Sequence, residues 1–199
     1  IKRYLPEEPK TINKKYKEQK LSISTPLFQI GFKDTDVGYG GAKLLKKEII
    51  SSILLEILTG EGSDLYNKMY TEGIINDSFD SDYEGEISYG FASFSGESND
   101  PDKVLSTILD AFSKVYFTEE EFERIKKVEI ARYLRMWNSV EGVSNTMVSD
   151  LFKSINIFEY SDIVKDITLN DIKLRFKELF DEKNCVMSVI KPYESNGDK

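Results

Sequence analysis

The chain has no histidine among its 199 residues. This absence excludes Ser-His-Asp and Cys-His catalytic sites, because both use imidazole as the general base. With a single cysteine and no histidine, the chain also cannot supply the nitrogen and sulfur ligands of the usual zinc sites. Any metal it bound would have to be a hard ion held by oxygen ligands. We therefore expect no catalytic residue and no metal site in this chain.

Cysteine and long apolar segments are also scarce. Cys185 is the only cysteine, so no intrachain disulfide can form, which favours a reducing compartment and a cytoplasmic location. No run of about 18 uninterrupted apolar residues exists, so we expect no membrane-spanning helix. The N-terminal segment is polar, unlike a signal peptide, and does not begin with Met, which suggests a fragment or a processed chain.

Positive charge is in deficit, with 27 Lys and Arg against 35 Asp and Glu and a net charge of −8. A nucleic-acid-binding protein normally has a basic face, so nucleic acid is not an expected partner. The basic residues of the first twenty positions form a local exception, the basic arm: Lys2, Arg3, Lys10, Lys14, Lys15, Lys17 and Lys20. Two interpretations remain open: a solvated lead-in to the first strand, or an arm that touches an acidic neighbouring domain or subunit.

The stretch DSDYEGEISYGF resembles a calcium loop at its start. Asp80, Asp82, Glu84 and Gly85 occupy positions 1, 3, 5 and 6 of an EF-hand pattern, but Phe91 stands at position 12, where a bidentate Glu belongs. A hairpin turn at Glu84-Gly85 explains the glycine without an ion. The stretch is therefore interpreted as an acidic turn between strands at 74–79 and 86–95.

The remaining periodicities predict the order of elements. We expect strands within 16–33 and at 184–192, a glycine-rich mobile loop at 34–41, and helices at 43–60, 63–73, 99–116, 118–137, 139–155 and 168–180. The buried stripe expected for the 99–116 helix ends with Tyr116, and the apolar stripe of the 139–155 helix includes Leu151. Strands and helices do not alternate regularly, which favours an α+β fold with helices packed on one face of a largely antiparallel sheet. The predicted organisation is a basic lead-in at 1–15, one domain at 16–192 and a disordered tail at 193–199.

Several stretches in this order resemble the second, non-zinc domain of the insulinase/pitrilysin/mitochondrial processing peptidase family. They are PEEPK, TPLFQIGFKD, ILTGEGSDLYNKMYTEGIINDSF, ISYGFASFSGESNDPDKV, FTEEEFERIKK and CVMSVIKP. The resemblance implies a bacterial-type zinc peptidase built from paired α+β domains. In that family an H-x-x-E-H motif in the first domain supplies two zinc ligands and the general base. Zinc would then lie in a domain outside this chain.

The chain departs from the family at two positions that would contact substrate. Many second domains carry an Arg and a Tyr there, whereas this sequence has Tyr70 at the Arg position and, allowing one deletion, Asn76 at the Tyr position. Either residue can still contact peptide, or a partner subunit can supply the missing groups. The alternative is that Tyr70 is only a helix-surface side chain and Asn76 only a turn residue.

The resemblance leaves two functions open. The first is a non-catalytic domain that forms part of a substrate chamber and binds extended peptide by strand addition, together with the other peptidase domain and a homologous partner subunit. The second is a structural module of an inactive family member, with ISYGFASF at a subunit interface. If the resemblance were fortuitous, the chain would be an unrelated acidic α+β binding domain.

Overall fold

A mixed sheet with one face covered by helices forms the domain. The computed structural model describes residues 8–193, and within them five strands lie in the order β1-β5-β2-β4-β3. Their bounds are Tyr16–Leu21 (β1), Leu27–Lys33 (β2), Asp80–Gly85 (β3), Gly90–Glu97 (β4) and Cys185–Pro192 (β5). Only the β1–β5 pair is parallel, and the other three pairs are antiparallel. The expected α+β fold with a largely antiparallel sheet is confirmed.

Seven α-helices accompany this sheet in the described part of the chain. They are Gly41–Thr59 (α1), Asp64–Thr71 (α2), Pro101–Ser113 (α3), Glu119–Met136 (α4), Val140–Phe152 (α5), Tyr160–Asp166 (α6) and Leu169–Leu179 (α7). No helix within residues 8–193 combines the length and the apolar character needed to cross a membrane.

The core lies between the sheet and α1. Alternate residues of the central strands, Phe28, Ile30 and Phe32 of β2 and Ala92 and Phe94 of β4, are buried on the helical side. Helix α1 is apolar around most of its circumference, because the sheet packs on one side and α4, α6 and α7 pack on others. Among residues 8–193, no helix lies on the opposite face of the sheet, as is common for antiparallel sheets.

The strands around the acidic stretch differ from the sequence prediction. Residues 74–79 form turns instead of a strand, because the backbone N–H groups of Ile74 and Ile75 fold back onto the Met69 carbonyl. The acidic stretch is itself strand β3, and the hairpin turn falls at 86–89, where the Glu86 N–H donates to the Tyr89 carbonyl. The carboxylates of Asp80, Asp82 and Glu84 alternate with Ser81 and Tyr83 because all five residues belong to one strand. The predicted turn at Glu84-Gly85 is wrong.

Three helical predictions also need correction. Helix α3 ends at Ser113, and Tyr116, predicted in its buried stripe, is 84% exposed. Helix α5 buries no residue, and Leu151 of its predicted stripe is 73% exposed. Helix α6 was not predicted at all. Helix α6 is only seven residues long, so its apolar residues are too few to show a helical period. Val164 is buried because α6 packs on α1.

The glycine-rich loop at 34–40 lies in the predicted place, but backbone hydrogen bonds attach it to two other segments. The Gly38 N–H donates to the Ile87 carbonyl, and the Gly41 N–H donates to the Lys153 carbonyl at 2.9 Å. A Cβ atom on Gly40 would lie 2.3 Å from the same carbonyl oxygen, so only glycine fits against that backbone. The loop is therefore anchored to the 86–89 turn and to the end of α5.

Replacement of a core residue of α1 should destabilise the domain far more than replacement on α5. Ile53→Ala removes a fully buried side chain and should cost about 2–5 kcal/mol of unfolding free energy, because a cavity remains. Leu151→Ala should cost less than about 0.5 kcal/mol in the same urea titration. A large loss with Leu151→Ala would contradict the exposed position of the α5 stripe.

Candidate functional site

A polar cleft runs between edge strand β3 and helix α1. Its volume is about 570 Å³, and its lining contains Ser52 and Glu56 of α1, Arg132 of α4, Tyr66 of α2 and Phe79 just before β3. The Thr59 hydroxyl donates to the Ser81 hydroxyl at 2.9 Å and joins the two walls at one end. The cleft therefore runs beside a strand that has a sheet partner on only one side.

The pairing register shows which backbone groups of β3 point into this open edge. The Glu86 N–H donates to the Tyr89 carbonyl, and on the other side of β4 the Asp34 N–H donates to the Gly90 carbonyl. Because antiparallel pairs alternate, positions 80, 82 and 84 bond to β4, while 81, 83 and 85 present their N–H and C=O groups outward. An extended peptide can pair with these outward groups.

The lining of the cleft is predominantly acidic. The lining contains five acidic residues and one arginine: Glu48, Glu56, Glu61, Asp80, Asp82 and Arg132. The side chains of Asp80 and Asp82 alternate with those of Ser81 and Tyr83 and therefore lie along the outer face of β3. Arg132 forms ion pairs with Glu56 and Glu129, and Glu48 accepts from Lys153 at 2.9 Å. Burial raises the pKa of Glu48, although the hydrogen bond and charge of Lys153 oppose the rise. The remaining carboxylates give the cleft a negative field.

A buried ionic cluster lies directly behind the cleft. Asp34, at the end of β2, accepts from Arg175 Nη2 and from the Tyr83 hydroxyl, both at 2.6 Å, and Lys47 Nζ lies 3.2 Å away. Arg175 also donates from Nε to the Ser51 hydroxyl at 2.9 Å. These contacts join β2, β3, α1 and α7, so Tyr83 connects the cleft wall to the core.

The protonation state of Asp34 follows from these partners. Burial alone would raise the pKa of the carboxyl, but the hydrogen bond and charge of Arg175, with Tyr83 and Lys47, outweigh it and lower the pKa to about 2. Burial also lowers the pKa of Lys47, against the attraction of Asp34, and raises that of the Tyr83 hydroxyl. The cluster thus contains a carboxylate held ionised by two cations.

This cluster is not among the residues predicted from the sequence, although the sequence contains a signal for it. Lys47 interrupts the apolar run of α1, and Arg175 stands three residues after Ile172 and four before Leu179 on the buried stripe of α7. A cation at a buried helical position needs a buried anion. Asp34, directly after an apolar strand, is such an anion, but only the fold brings the three together.

Tyr70 and Asn76, the two residues predicted to contact substrate, lie in different surroundings. Tyr70 is 51% exposed on α2 and stacks on Tyr66, a cleft residue, with ring centroids 5.9 Å apart. Asn76 forms a turn: its Oδ1 accepts from the Ser78 N–H at 2.9 Å, and its Nδ2 donates to Glu97 at 3.2 Å. Tyr70 thus contacts a cleft residue without lining the cleft itself, whereas Asn76 is engaged in the turn before β3. Their roles stay predictions.

The aromatic stretch ISYGFASF contributes more to the interior than to the surface. Phe94 and Ala92 are fully buried, and Ile87 and Tyr89 lie in the 86–89 turn. Phe91 is half-buried on the face of the sheet without helices. A subunit interface built on this stretch would therefore have few of its aromatic rings available.

The chain matches known zinc proteases over most of its length. It is 30% identical over 175 residues, 87% of the chain, to a protein of Bacillus subtilis (strain 168) called uncharacterized zinc protease YmfH, and the match covers 41% of that protein. The fold agrees, with a TM-score of 0.88 and 24% identity, with an M16-like peptidase of Alicyclobacillus acidocaldarius, over 94% of this chain and 46% of that one. The chain belongs to the insulinase/pitrilysin (M16) family.

A third similarity concerns a domain of similar size. The inactive peptidase domain of a zinc protease from Bordetella parapertussis has a TM-score of 0.67 at 19% identity, over 89% of this chain and 97% of that domain. No known protein-family profile matches the chain. The resemblance to the second, non-zinc domain of the family is confirmed, and the chain spans less than half the length of the Bacillus and Alicyclobacillus proteins.

Zinc, which the family name implies, does not fit the residues of this M16 domain. The sequence has no histidine, and its one cysteine, Cys185, is buried in β5. Within residues 8–193, no group of three Cys, Asp or Glu side chains is arranged to hold a metal ion. Asp80, Asp82 and Glu84 lie along a strand and do not converge on one point. The cleft can bind by hydrogen bonds and charge.

The Asp34 cluster should make stability depend on pH in the acid range. The unfolded chain takes up the Asp34 proton near the ordinary pKa of 3.8, whereas the folded chain resists until about pH 2. The stabilisation is therefore fully present above about pH 5 and is lost as the pH falls towards 2, by roughly 2 kcal/mol. Urea titrations from pH 7 to pH 2 measure this loss.

Asp34→Asn should remove this pH dependence and, at pH 7, cost about 3–5 kcal/mol, because it leaves two buried cations without their anion. Asp77→Asn, which removes the same charge from an exposed turn, serves as the control. Equal stabilities of the Asp34→Asn and Asp77→Asn variants at pH 7 would show that the cluster does not stabilise the fold.

Proposed function

We propose that the chain is the non-catalytic C-terminal domain of a zinc-dependent peptidase, that it forms part of the substrate chamber, and that it binds extended peptide along strand β3. The observation that carries the proposal is the edge of β3, whose outward backbone groups border a cleft of about 570 Å³. Peptide added to this edge would become a further strand of the sheet.

The cleft geometry supports a peptide ligand. Ser81, Tyr83 and Gly85 present one N–H and one C=O group each, spaced as a strand requires. Beyond them, the cleft has room for side chains between β3 and α1, with the aromatic rings of Tyr66 and Phe79 at one end. Main-chain pairing gives affinity without regard to sequence, and the cleft provides selectivity.

The charge of the cleft favours a basic peptide. Asp80 and Asp82 on β3 and Glu61 after α1 belong to its lining and form no ion pairs within residues 8–193. A lysine or arginine side chain of the peptide would meet this negative field, whereas an acidic peptide would be repelled. Tyr70, next to Tyr66, extends the aromatic end and could contact the same peptide.

Hydrolysis would belong to another domain. These residues contain no imidazole to bind zinc or to act as general base. A domain with an H-x-x-E-H motif outside this chain would hold the zinc ion, and a homologous subunit could complete the chamber. The present chain would hold the peptide, and alone it should neither bind stoichiometric zinc nor hydrolyse peptide.

A structural role in an inactive assembly is the second candidate. Helix α5 favours it, because the helix buries no residue within the domain and exposes apolar side chains along its length. The exposed apolar residues of α5 are Val140, Met147, Val148, Leu151 and Phe152. A surface of this kind suits contact with another protein domain.

Strand addition at β3 can be tested with one backbone substitution. Ser81→Pro removes an outward N–H group that β4 does not use, so the fold should persist while affinity for a short lysine-containing peptide falls about five- to tenfold. Ser81→Ala is the matched control, since it also loses the hydroxyl bonded to Thr59 but keeps the N–H group. Isothermal titration calorimetry measures both.

Equal peptide affinities of Ser81→Pro and Ser81→Ala would rule out pairing at this edge. The double variant Asp80→Asn, Asp82→Asn leaves the backbone unchanged and should weaken binding of the lysine-containing peptide without affecting a version with serine in place of lysine. It gives a second test should Ser81→Pro disturb folding.

The assignment to an active peptidase can be tested on the protein that contains this domain together with its zinc-motif domain. We expect proteolysis that a chelator abolishes and that added zinc restores, and no activity from the present chain alone. A full-length protein that holds no zinc and cleaves no peptide, with homologous partner proteins added, would instead support the assembly role.

A further inference from the structure

The face of the sheet without helices carries a groove that the proposed strand addition does not use. The groove has a volume of about 690 Å³ and lies between residues 8–17 and the end of the β3–β4 hairpin, whereas Lys2 and Arg3 of the basic arm lie outside the described residues. Its floor consists of residues from the three central strands: Gln29, Gly31, Phe91, Ser93, Val186 and Ser188. Residues before β1, including Pro9, Ile12 and Lys14, form its wall.

The floor is open because its central side chains are small. Gly31, Ser93 and Ser188 occupy neighbouring positions on β2, β4 and β5, as the register pairs Gly31 with Ser93 and Gln29 with Ser188. A Cβ atom on Gly31 would lie 3.2 Å from Val186 Cγ2, so glycine lets Val186 extend over the floor. Val186 and Phe91 give this small-residue floor an apolar surface.

The rim of the groove is basic in a chain of net charge −8. Lys14, Lys17 and Lys33 line it, and Glu8 is its only acid among the described residues. Glu8 lies on Lys33, with a carboxylate oxygen 3.0 Å from Nζ. Lys14 and Lys17 form no ion pair within residues 8–193 and are solvent-exposed. The groove thus already holds one carboxylate, and two more ammonium groups remain available.

An apolar floor beside the exposed ammonium groups of Lys14 and Lys17 is complementary to an anion that carries an apolar side chain. The C-terminal residue of a peptide has this chemistry, since its carboxylate and its side chain lie a few ångströms apart. Asp82 and Glu84 of β3 pair with the floor residues Ser93 and Phe91 but do not line the groove. They lie on the β3 side of the floor, whereas Lys17 lies on β1 at the opposite edge of the sheet, so an anion would be held at the lysine side.

We propose that this groove binds the C-terminal end of a peptide, with the terminal carboxylate on Lys14 and Lys17 and the last apolar side chain against Phe91 and Val186. This inference rests on the proposed function, because it assumes that the domain handles peptides. It adds that the domain distinguishes a free peptide end from the interior of a chain.

The test compares two forms of one short uncharged peptide with a leucine at its C-terminus, one ending in a carboxylate and one in an amide. Binding to the 199-residue chain is measured by isothermal titration calorimetry. The carboxylate form should bind about tenfold more tightly than the amide form, because charge-assisted contacts are lost in the amide. The double variant Lys14→Glu, Lys17→Glu should abolish that preference.

Two further variants control for charge and for shape. Lys127→Glu makes the same charge change at an exposed position of α4, outside the groove, and should leave the preference unchanged. Ser188→Trp fills the floor from an exposed position of β5, so the domain should stay folded and neither form should bind there. Thermal unfolding of each variant checks the fold.

The outcomes separate this inference from the proposed function. Equal affinity for both peptide forms, unaffected by the lysine variants but weakened by Ser81→Pro, would overturn the groove and leave peptide binding at β3 intact. Absence of binding by either form, and by the lysine-containing peptide at β3, would overturn both. A preference for the carboxylate form that Lys127→Glu removes as completely as the groove variants would show a general charge effect and also overturn the groove.

Discussion

Burial of helix α1 is the constraint on which the remaining architecture depends. The helix is apolar on most sides, so it needs the sheet on one side and other helices around the rest of its circumference. The helices that pack on α1 therefore lie on the same side of the sheet as α1, and the other face of the sheet is left without helices. Antiparallel sheets commonly have one such uncovered face. The cleft at β3 and the groove on the uncovered face both exist because the helical layer is one-sided.

Local signals predicted the elements that their own residues define. Thr168 caps α7 with a complete capping box with Asp171, Ser63 caps α2, and Gly73, at φ +65, ends the turn after it. The strand predicted at 74–79 was wrong because a short apolar run, such as Ile74 and Ile75, is equally typical of a strand and of a buried turn. The stripe of α5 failed for a related reason: periodicity shows that a face is apolar, and it does not show what covers that face.

The candidate site was less predictable than the fold, because its parts are far apart in sequence. The cluster behind the cleft joins Asp34 to Arg175, which are separated by 141 positions. No local pattern relates the two, although each is anomalous in its own segment. The cleft depends on β3 being the last strand of the sheet, a property of the strand order that the sequence of β3 does not contain. Family resemblance indicated Tyr70 as a possible substrate contact, but it gave no information about Tyr66, the cleft residue on which Tyr70 stacks.

The parallel pairing of β1 with β5 has a mechanical consequence. Tyr16 opens β1 beside Met187 and Leu21 closes it beside Pro192, so the chain enters the sheet at one end of this strand pair and leaves it at the other. Tension between the two points would act along the strands and load all six paired positions together in shear. Pulling on the chain in this direction must break all the hydrogen bonds between β1 and β5 together. Such a strand pair resists force far better than one whose hydrogen bonds break one after another.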